Sequence, residues 1–300
     1  MTWDFLPLAS PESWKGGRLA PAKKALTGAQ WLSRLALESH SHDIVHLHSA
    51  GVLRHARFAL RRYVLHCHGT DVRVQQYLPA WSAAVRTGLR QAEAVFYSTP
   101  DLAEHILPHR SDAEYLPVPV DMSLLPRWTP TERPRVVFAS RWGHDKGGAA
   151  QLDAAERIVA AAGSGAEMIG LDWGPMAEEA RRRGVQLIER QDRAGYMSML
   201  ASAWAVVGQS TGMIGSSELE ALGIGAPLVM SVPLPLYASA PPPVLGSSAE
   251  GAADAVAALV RGELPHNPQM GQEYVAARHG VAGALAQVLD TYTTVLAKRG

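Results

Sequence analysis

Short apolar runs punctuate the chain, and each closes on small or polar residues. "HDIVHLHSAG" (42–51) has this form, "RYVLHCHGTD" (62–71) repeats it, and "AEAVFYSTPD" (92–101) and the shorter "AEYLPVPVD" (113–121) follow. Runs this short and rich in β-branched residues predict strands. The stretches between them, such as "AWSAAVRTGLRQAEA" (80–94), carry helical periodicity. Strands alternating with helices predict an α/β fold built on parallel sheets.

After residue 121 the texture changes. "MSLLPRWTPTERP" (122–134) has prolines at 126, 130 and 134 and little periodicity, which predicts a linker. A second α/β series follows, with strands predicted in "RVVFAS" (135–140), "GAEMIGLD" (165–172), "VQLIE" (185–189), "AWAVVGQS" (203–210) and "APLVMSV" (226–232). The proline-rich "PLPLYASAPPPV" (233–244) cannot join a sheet ladder and reads as a loop. Two helices are predicted to finish the chain, in "SAEGAADAVAALVRG" and "EYVAARHGVAGALAQVLDTYTTVLAKR". No short-period repeat is present.

Composition narrows the function. A length of 300 residues fits two domains, and 47% apolar content supplies two cores. The formal net charge is zero, which argues against a general nucleic-acid binder. The single cysteine, Cys67, excludes an internal disulfide and suits a reducing, cytoplasmic compartment. No signal peptide is read at the N-terminus, and no apolar run approaches the roughly 18 residues of a membrane helix. Contact with a membrane surface stays open, and the cationic residues Arg54, Arg57 and Arg61, at helical spacing, read either as a headgroup contact or as a solvated stripe.

Ligands of open parallel sheets bind at the carboxyl ends of strands, and the polar residues cluster at those predicted ends. Arg141 and Lys146 flank the turn "SRWGHDKGG", where a fork and a point charge face whatever lies beyond the strand. Gly147 and Gly148 allow close backbone approach, so a diphosphate is the natural ligand, against the plain alternative of a solvated charged turn. "GQSTGMIGSSELEALGIGAP" (208–227) reads as a strand, a glycine-rich turn and a helix start near Ser216 or Ser217, where free N–H groups suit phosphate. Glu220 there either accepts from ribose hydroxyls or completes a capping box with Ser217. His68 either hydrogen-bonds a sugar hydroxyl or is a packed strand-end histidine. His46 and His48 share one strand face, as do His66 and His68. With no HExxH and no paired CxxC, the reading is that the chain holds no metal. The absence of GxGxxG and GxxxxGK[ST] disfavours a dinucleotide oxidoreductase and a P-loop nucleotidase, and no D-x-D supplies a metal–diphosphate handle.

Taken in order, these segments resemble the GT-B glycosyltransferases of the retaining family-4 type. "HDIVHLHSAG", "VLHCHGTD", "YLPVPVD", "FASRWGHDKGG", "MIGLDWGP" and "ELEALGIGAPLV" are similar to that family's strand-end motifs, from about residue 40 to the end. The resemblance implies two Rossmann-like domains facing across a cleft. They are an acceptor-side domain at 1–121, a linker at 122–134, a nucleotide-sugar domain at 135–275 and a terminal helical segment at 276–300 that crosses back. It implies a metal-independent hexosyl transfer from a nucleotide-diphosphate sugar to an acceptor hydroxyl, with no further cofactor. Arg141, Lys146 and Gly215 would hold the diphosphate, Glu220 the ribose, and His68 would lie beside the transferred sugar as the catalytic histidine. Gly212, Met213, Ile214 and Glu218 are the candidates for contact with the sugar.

Two departures qualify the match. The family's first glutamate of E-x7-E is Gly212 here, with Glu218 as the stand-in. The first domain is shortened, and Gly16-Gly17 is the candidate remnant of its N-terminal loop. Both departures keep a second reading in play, a catalytically impaired glycosyltransferase-like binding partner.

Overall fold

A computed structural model describes residues 5–7 and 20–298, so the candidate loop at Gly16 and Gly17 lies outside the described residues. The described residues fall into two compact units. One runs to Leu116 and resumes at Gln287, and the other is Pro117–Ala286.

The first unit holds a four-stranded parallel sheet, β1 (Val45–His48), β2 (Tyr63–Cys67), β3 (Ala94–Tyr97) and β4 (Glu114–Tyr115), in the order β1-β2-β3-β4. This strictly sequential winding corresponds to one half of a doubly wound sheet. Leu47, Leu65, Cys67 and Val95 point to one face and pack with Leu89, Leu102 and Ile106 in the core. Helix Pro79–Gln91 begins with proline at its first position, where the missing N–H costs nothing. The long helix Ala20–Ser41 precedes the sheet. The predicted stripe of Arg54, Arg57 and Arg61 does not form, because the helix there is the short Leu53–Ala56. Arg54 lies over the Trp81 ring and Arg57 over Phe58 instead.

The second unit holds five parallel strands, β5 (Arg135–Phe138), β6 (Glu167–Leu171), β7 (Gln186–Ile188), β8 (Ala205–Val207) and β9 (Leu228–Val229), in the order β7-β6-β5-β8-β9. Both faces are buried, as an all-parallel sheet requires. Val137, Ile169, Val206 and Leu228 enter one core, and Val136, Phe138, Met168, Ala205 and Val207 the other. The order of strands reverses between β5 and β8, which is where open α/β sheets bind ligands.

Two segments differ from expectation. Residues 122–134 are no loose linker. The Trp128 indole donates to the Ala203 carbonyl at 2.7 Å, Thr129 N–H donates to Ala201, and Met122 and Leu125 pack on the second core. The predicted terminal helix breaks at Gly280 into Pro268–His279 and Val281–Ala297. Gly280 is extended because Val120 pairs with it, with the Val120 N–H donating to the His279 carbonyl at 2.7 Å. That pairing joins Pro117–Asp121 to the second unit, and the chain rejoins the first unit at Gln287, whose side chain donates to the Tyr115 carbonyl. Among the described residues no helix is long and apolar enough to cross a membrane.

Candidate functional site

The loops after β5 and β8 lie side by side at the reversal point of the second sheet. The first is pinned by Trp142, which is 0% exposed and lies against Gly170 and Val185. Its backbone donates to the Trp173 carbonyl and accepts from Met176 N–H. Gly174, at φ +115°, lets the Trp142 backbone approach, which a side chain at that position would block. A tryptophan with no exposure inside a polar turn is an anchor: it fixes where Arg141 and Lys146 stand on either side.

Lys146 and the second loop are laced together. The Lys146 ammonium donates to Gln209 Oε1 at 3.0 Å, and Ser210 N–H donates to the Lys146 carbonyl at 3.0 Å. Gly147, at φ +113°, is pressed so closely on Ser210 that an added Cβ would lie 2.7 Å from the Ser210 carbonyl oxygen. Arg141 lies beside them but is engaged within its own turn, with Nη2 donating to Asp145 at 2.5 Å. The pair is substantially exposed, so it is weak and exchangeable.

The second loop leads into helix Ser216–Ile224, with Gly215 as its first flanking residue. The capping is done by Glu218. One oxygen accepts from Gly215 N–H at 2.9 Å, the other from Gln209 N–H at 2.8 Å and from the Ser140 hydroxyl at 3.3 Å. Glu218 is 1% exposed, so it does not present itself to a sugar, contrary to its reading as a stand-in for the missing glutamate. Its stem needs Gly208 opposite, where a Cβ would meet Glu218 Cγ at 2.9 Å.

Met213 and Ile214 are buried in the core rather than offered to a ligand. The Met213 carbonyl accepts from the Gln209 side chain, and Ile214 N–H donates to the Tyr237 hydroxyl. Gly215 N–H is likewise engaged, which leaves the next N–H groups, of Ser216 and Ser217, as those that the helix start cannot satisfy itself. Gly212 turns the loop at φ +73°, a conformation that a glutamate would adopt only with strain.

Because Glu218 caps the helix, Glu220 is released from that duty. Its carboxylate accepts from Arg193 at 2.5 Å. Burial raises the Glu220 pKa, and the Arg193 hydrogen bond opposes the rise. Arg193 opens helix Arg193–Ala201, whose Tyr196 hydroxyl donates to the Ala139 carbonyl at 2.8 Å. Burial pushes that phenol upward, so it stays protonated. Sequence reasoning missed Arg193 and Tyr196, since neither belongs to a local motif and only the fold brings them to Glu220. Gly208-Gln209-Ser210-Thr211-Gly212 also has the spacing of a nucleophile elbow. Ser210 is buried with its hydroxyl on Ser231 at 2.7 Å, which gives no activated nucleophile.

In the first unit, His68 stands just past β2. Its Nε2 shares a hydrogen bond of 3.0 Å with His48 Nδ1, on whose ring it stacks, and its ring lies tilted against His66 with centroids 4.1 Å apart. Burial first, and then His48, lower its pKa against the pull of Asp71, so the ring is held neutral. Gly69 has φ +134°, and its N–H donates to Asp71, whose other oxygen accepts from Ala50 N–H at 2.9 Å. Asp71 thus ties the ends of β1 and β2 together. Beside it Ser49, at φ 117°, is the one non-glycine with positive φ among the described residues. Strain of this kind persists only where the surroundings impose it, and it concentrates at functional sites.

No family model and no curated protein matches the sequence. Solved structures share its fold. A sucrose-phosphate synthase from Thermosynechococcus elongatus aligns with a TM-score of 0.65 at 15% identity, over 91% of this chain and 79% of that one. Anabaena HepE in complex with UDP-glucose gives 0.69 at 15% identity, over 88% and 82%. AviGT4, a glycosyltransferase involved in avilamycin A biosynthesis, gives 0.61 at 21% identity, over 89% and 78%. The chain therefore has the α/β fold of GT-B glycosyltransferases, with two Rossmann-like units.

Proposed function

We propose that the chain is a retaining, metal-independent glycosyltransferase of the family-4 type, which moves a sugar from a nucleotide-diphosphate donor to an acceptor hydroxyl. The observation that carries this reading is the lacing of Lys146 to Gln209 and Ser210 at the reversal point of the second sheet. It concentrates two cations, Lys146 and Arg141, and a helix start at one strand-end site. Lys146, and Arg141 once Asp145 yields it, would neutralise the departing diphosphate, with Ser216 and Ser217 N–H groups completing the cradle. Glu220, largely buried and steadied by Arg193, would accept from the ribose. His68, neutral and held by His48, would hydrogen-bond the transferred sugar. Retention implies attack from the face that the diphosphate leaves, with that phosphate taking the acceptor proton. No protein nucleophile is then needed. The donor and the single buried thiol, Cys67, fit a cytoplasmic reaction, with the acceptor either free or at a membrane surface.

Calorimetry with UDP and GDP, alongside donor hydrolysis over a nucleotide-sugar panel, tests this reading. Lys146→Ala should weaken nucleotide binding at least tenfold. Unchanged binding would remove the donor site from this turn. A second reading rests on Gly212 and Glu218: with no carboxylate free on that loop, the chain would bind nucleotide as a partner subunit without turnover. Binding without hydrolysis or transfer over the whole panel would select it.

A further inference from the structure

The histidine face of the first sheet makes a second site, independent of the donor reading. Interior strands of a parallel sheet read as apolar on both faces. Here one face of β1 and β2 carries His46, His48 and His66, with His48 directly opposite His66 in the register. The three rings offer one nitrogen each, all within 4.8 Å of one another. His66 is 6% exposed, and neither of its ring nitrogens has a hydrogen-bond partner. His46 Nε2 is buried and unpartnered in the same way. Packed imidazoles alone would leave these groups uncompensated, whereas buried polar atoms are normally paired.

We propose that His46, His48 and His66 bind one divalent transition-metal ion of the zinc class, with the fourth coordination position open to solvent. The ligand type suits such an ion: imidazole nitrogens with no carboxylate among them exclude a calcium or magnesium preference. Asp71, whose charge acts on His68, already serves the Gly69 and Ala50 N–H groups. Cys67 points into the opposite core and takes no part. The remaining nitrogens are already arranged as outer partners. His46 Nδ1 meets the Tyr292 hydroxyl at 2.6 Å, and His48 Nδ1 meets His68 Nε2 at 3.0 Å. With Nδ1 so engaged, Nε2 is the nitrogen that each of these two rings has left for a metal, the arrangement that fixes tautomer and orientation at metal-bound histidines.

Tetrahedral ligation would bring the nitrogens to about 3.3 Å apart, a closure that ring rotation can supply. The ion would clamp β1 to β2. Through His48 Nδ1–H it would also set the tautomer of His68.

The test uses the full chain without a polyhistidine tag, stripped by chelator and titrated with Co²⁺ and then Zn²⁺. One equivalent of Co²⁺ should give the visible ligand-field band of a tetrahedral site, Zn²⁺ should displace it, and Zn²⁺ should raise the melting temperature. His48→Ala, at an exposed position, should weaken Co²⁺ binding at least tenfold with the fold intact. His66→Phe removes a ligand together with both unpaired nitrogens. It should abolish the metal response while leaving the metal-free melting temperature unchanged or higher. A parent chain without a saturable one-to-one band overturns the proposal, and so does a band that survives both substitutions.

Discussion

Glu218→Gln isolates the role of one buried carboxylate. The replacement is isosteric, so no cavity opens and the melting change reports hydrogen bonding alone. The carboxylate serves three donors, Gln209 N–H at 2.8 Å, Gly215 N–H at 2.9 Å and the Ser140 hydroxyl at 3.3 Å. Glutamine keeps one acceptor oxygen for Gln209. Its amide group then faces the Gly215 N–H, donor against donor, in a place with 1% exposure. A hydrogen bond to a charged group contributes roughly 1.5–3 kcal/mol, and an orphaned buried donor adds its desolvation cost, so the loss should be about 2–4 kcal/mol. For a unit the size of Pro117–Ala286 that corresponds to a melting temperature lower by roughly 5–15 °C. Differential scanning calorimetry reads this directly. Titration with UDP well below the melt should show weaker binding too, because the loop that presents Ser216 and Ser217 is no longer held. A melting temperature within about 2 °C of the parent would refute the reasoning, since a carboxylate that organises the loop cannot be neutralised without effect.

Other consequences are as direct. Trp142→Ala should cost about 3–5 kcal/mol in urea unfolding, the usual range for emptying a fully buried tryptophan site, and should weaken UDP binding because Arg141 and Lys146 lose their anchor. Asp145→Asn frees Arg141 from its exposed partner and should tighten UDP binding about two- to fivefold at low salt, less at high salt; calorimetry that finds no gain would show that the pair does not compete with phosphate. His279 is lowered chiefly by burial, against its bond to the Val118 carbonyl and with Arg278 adding to the fall. Its folded value thus lies below the ordinary value of about 6.5. The unfolded chain takes up the proton first, and this contribution to stability is intact above that value and lost as pH falls through it. Urea midpoints at neutral and mildly acidic pH should converge in His279→Gln relative to the parent, and equal slopes would refute the assignment.

The strands were legible because each is a short apolar run closed by small polar residues, and the parallel sheets follow from the helices between them. Arg141 and Lys146 were legible for a related reason: a charged turn directly after such a strand has few other places to go. What the sequence could not show is the competition for each group. Ser217-x-x-Glu220 and Gly215-x-x-Glu218 are equally good capping patterns on paper. The helix begins two residues earlier than the first requires, and Gly208 leaves space only for Glu218. Glu220 gains its freedom from that choice, and Arg193, on another helix, then finds it. The break at Gly280 was hidden too, because a helical pattern of side chains says nothing of a distant extended segment at Val120 that bridges to the same backbone.

The same competition explains why the departure at Gly212 matters more than a missing side chain. A family-type glutamate there needs a backbone that a side chain can occupy, and the loop runs through that point at φ +73°. The left-handed turn is what brings Met213 and Ile214 down into the core and lets Gln209 bond the Met213 carbonyl. Gly212→Glu would therefore strain the turn by about 1–2 kcal/mol rather than restore a sugar contact. If the chain transfers a sugar as proposed, selectivity for that sugar would come from groups outside this loop. On the proposed reading His68 would be one such group, since its ring is held by His48 on the strand face where the imidazoles meet.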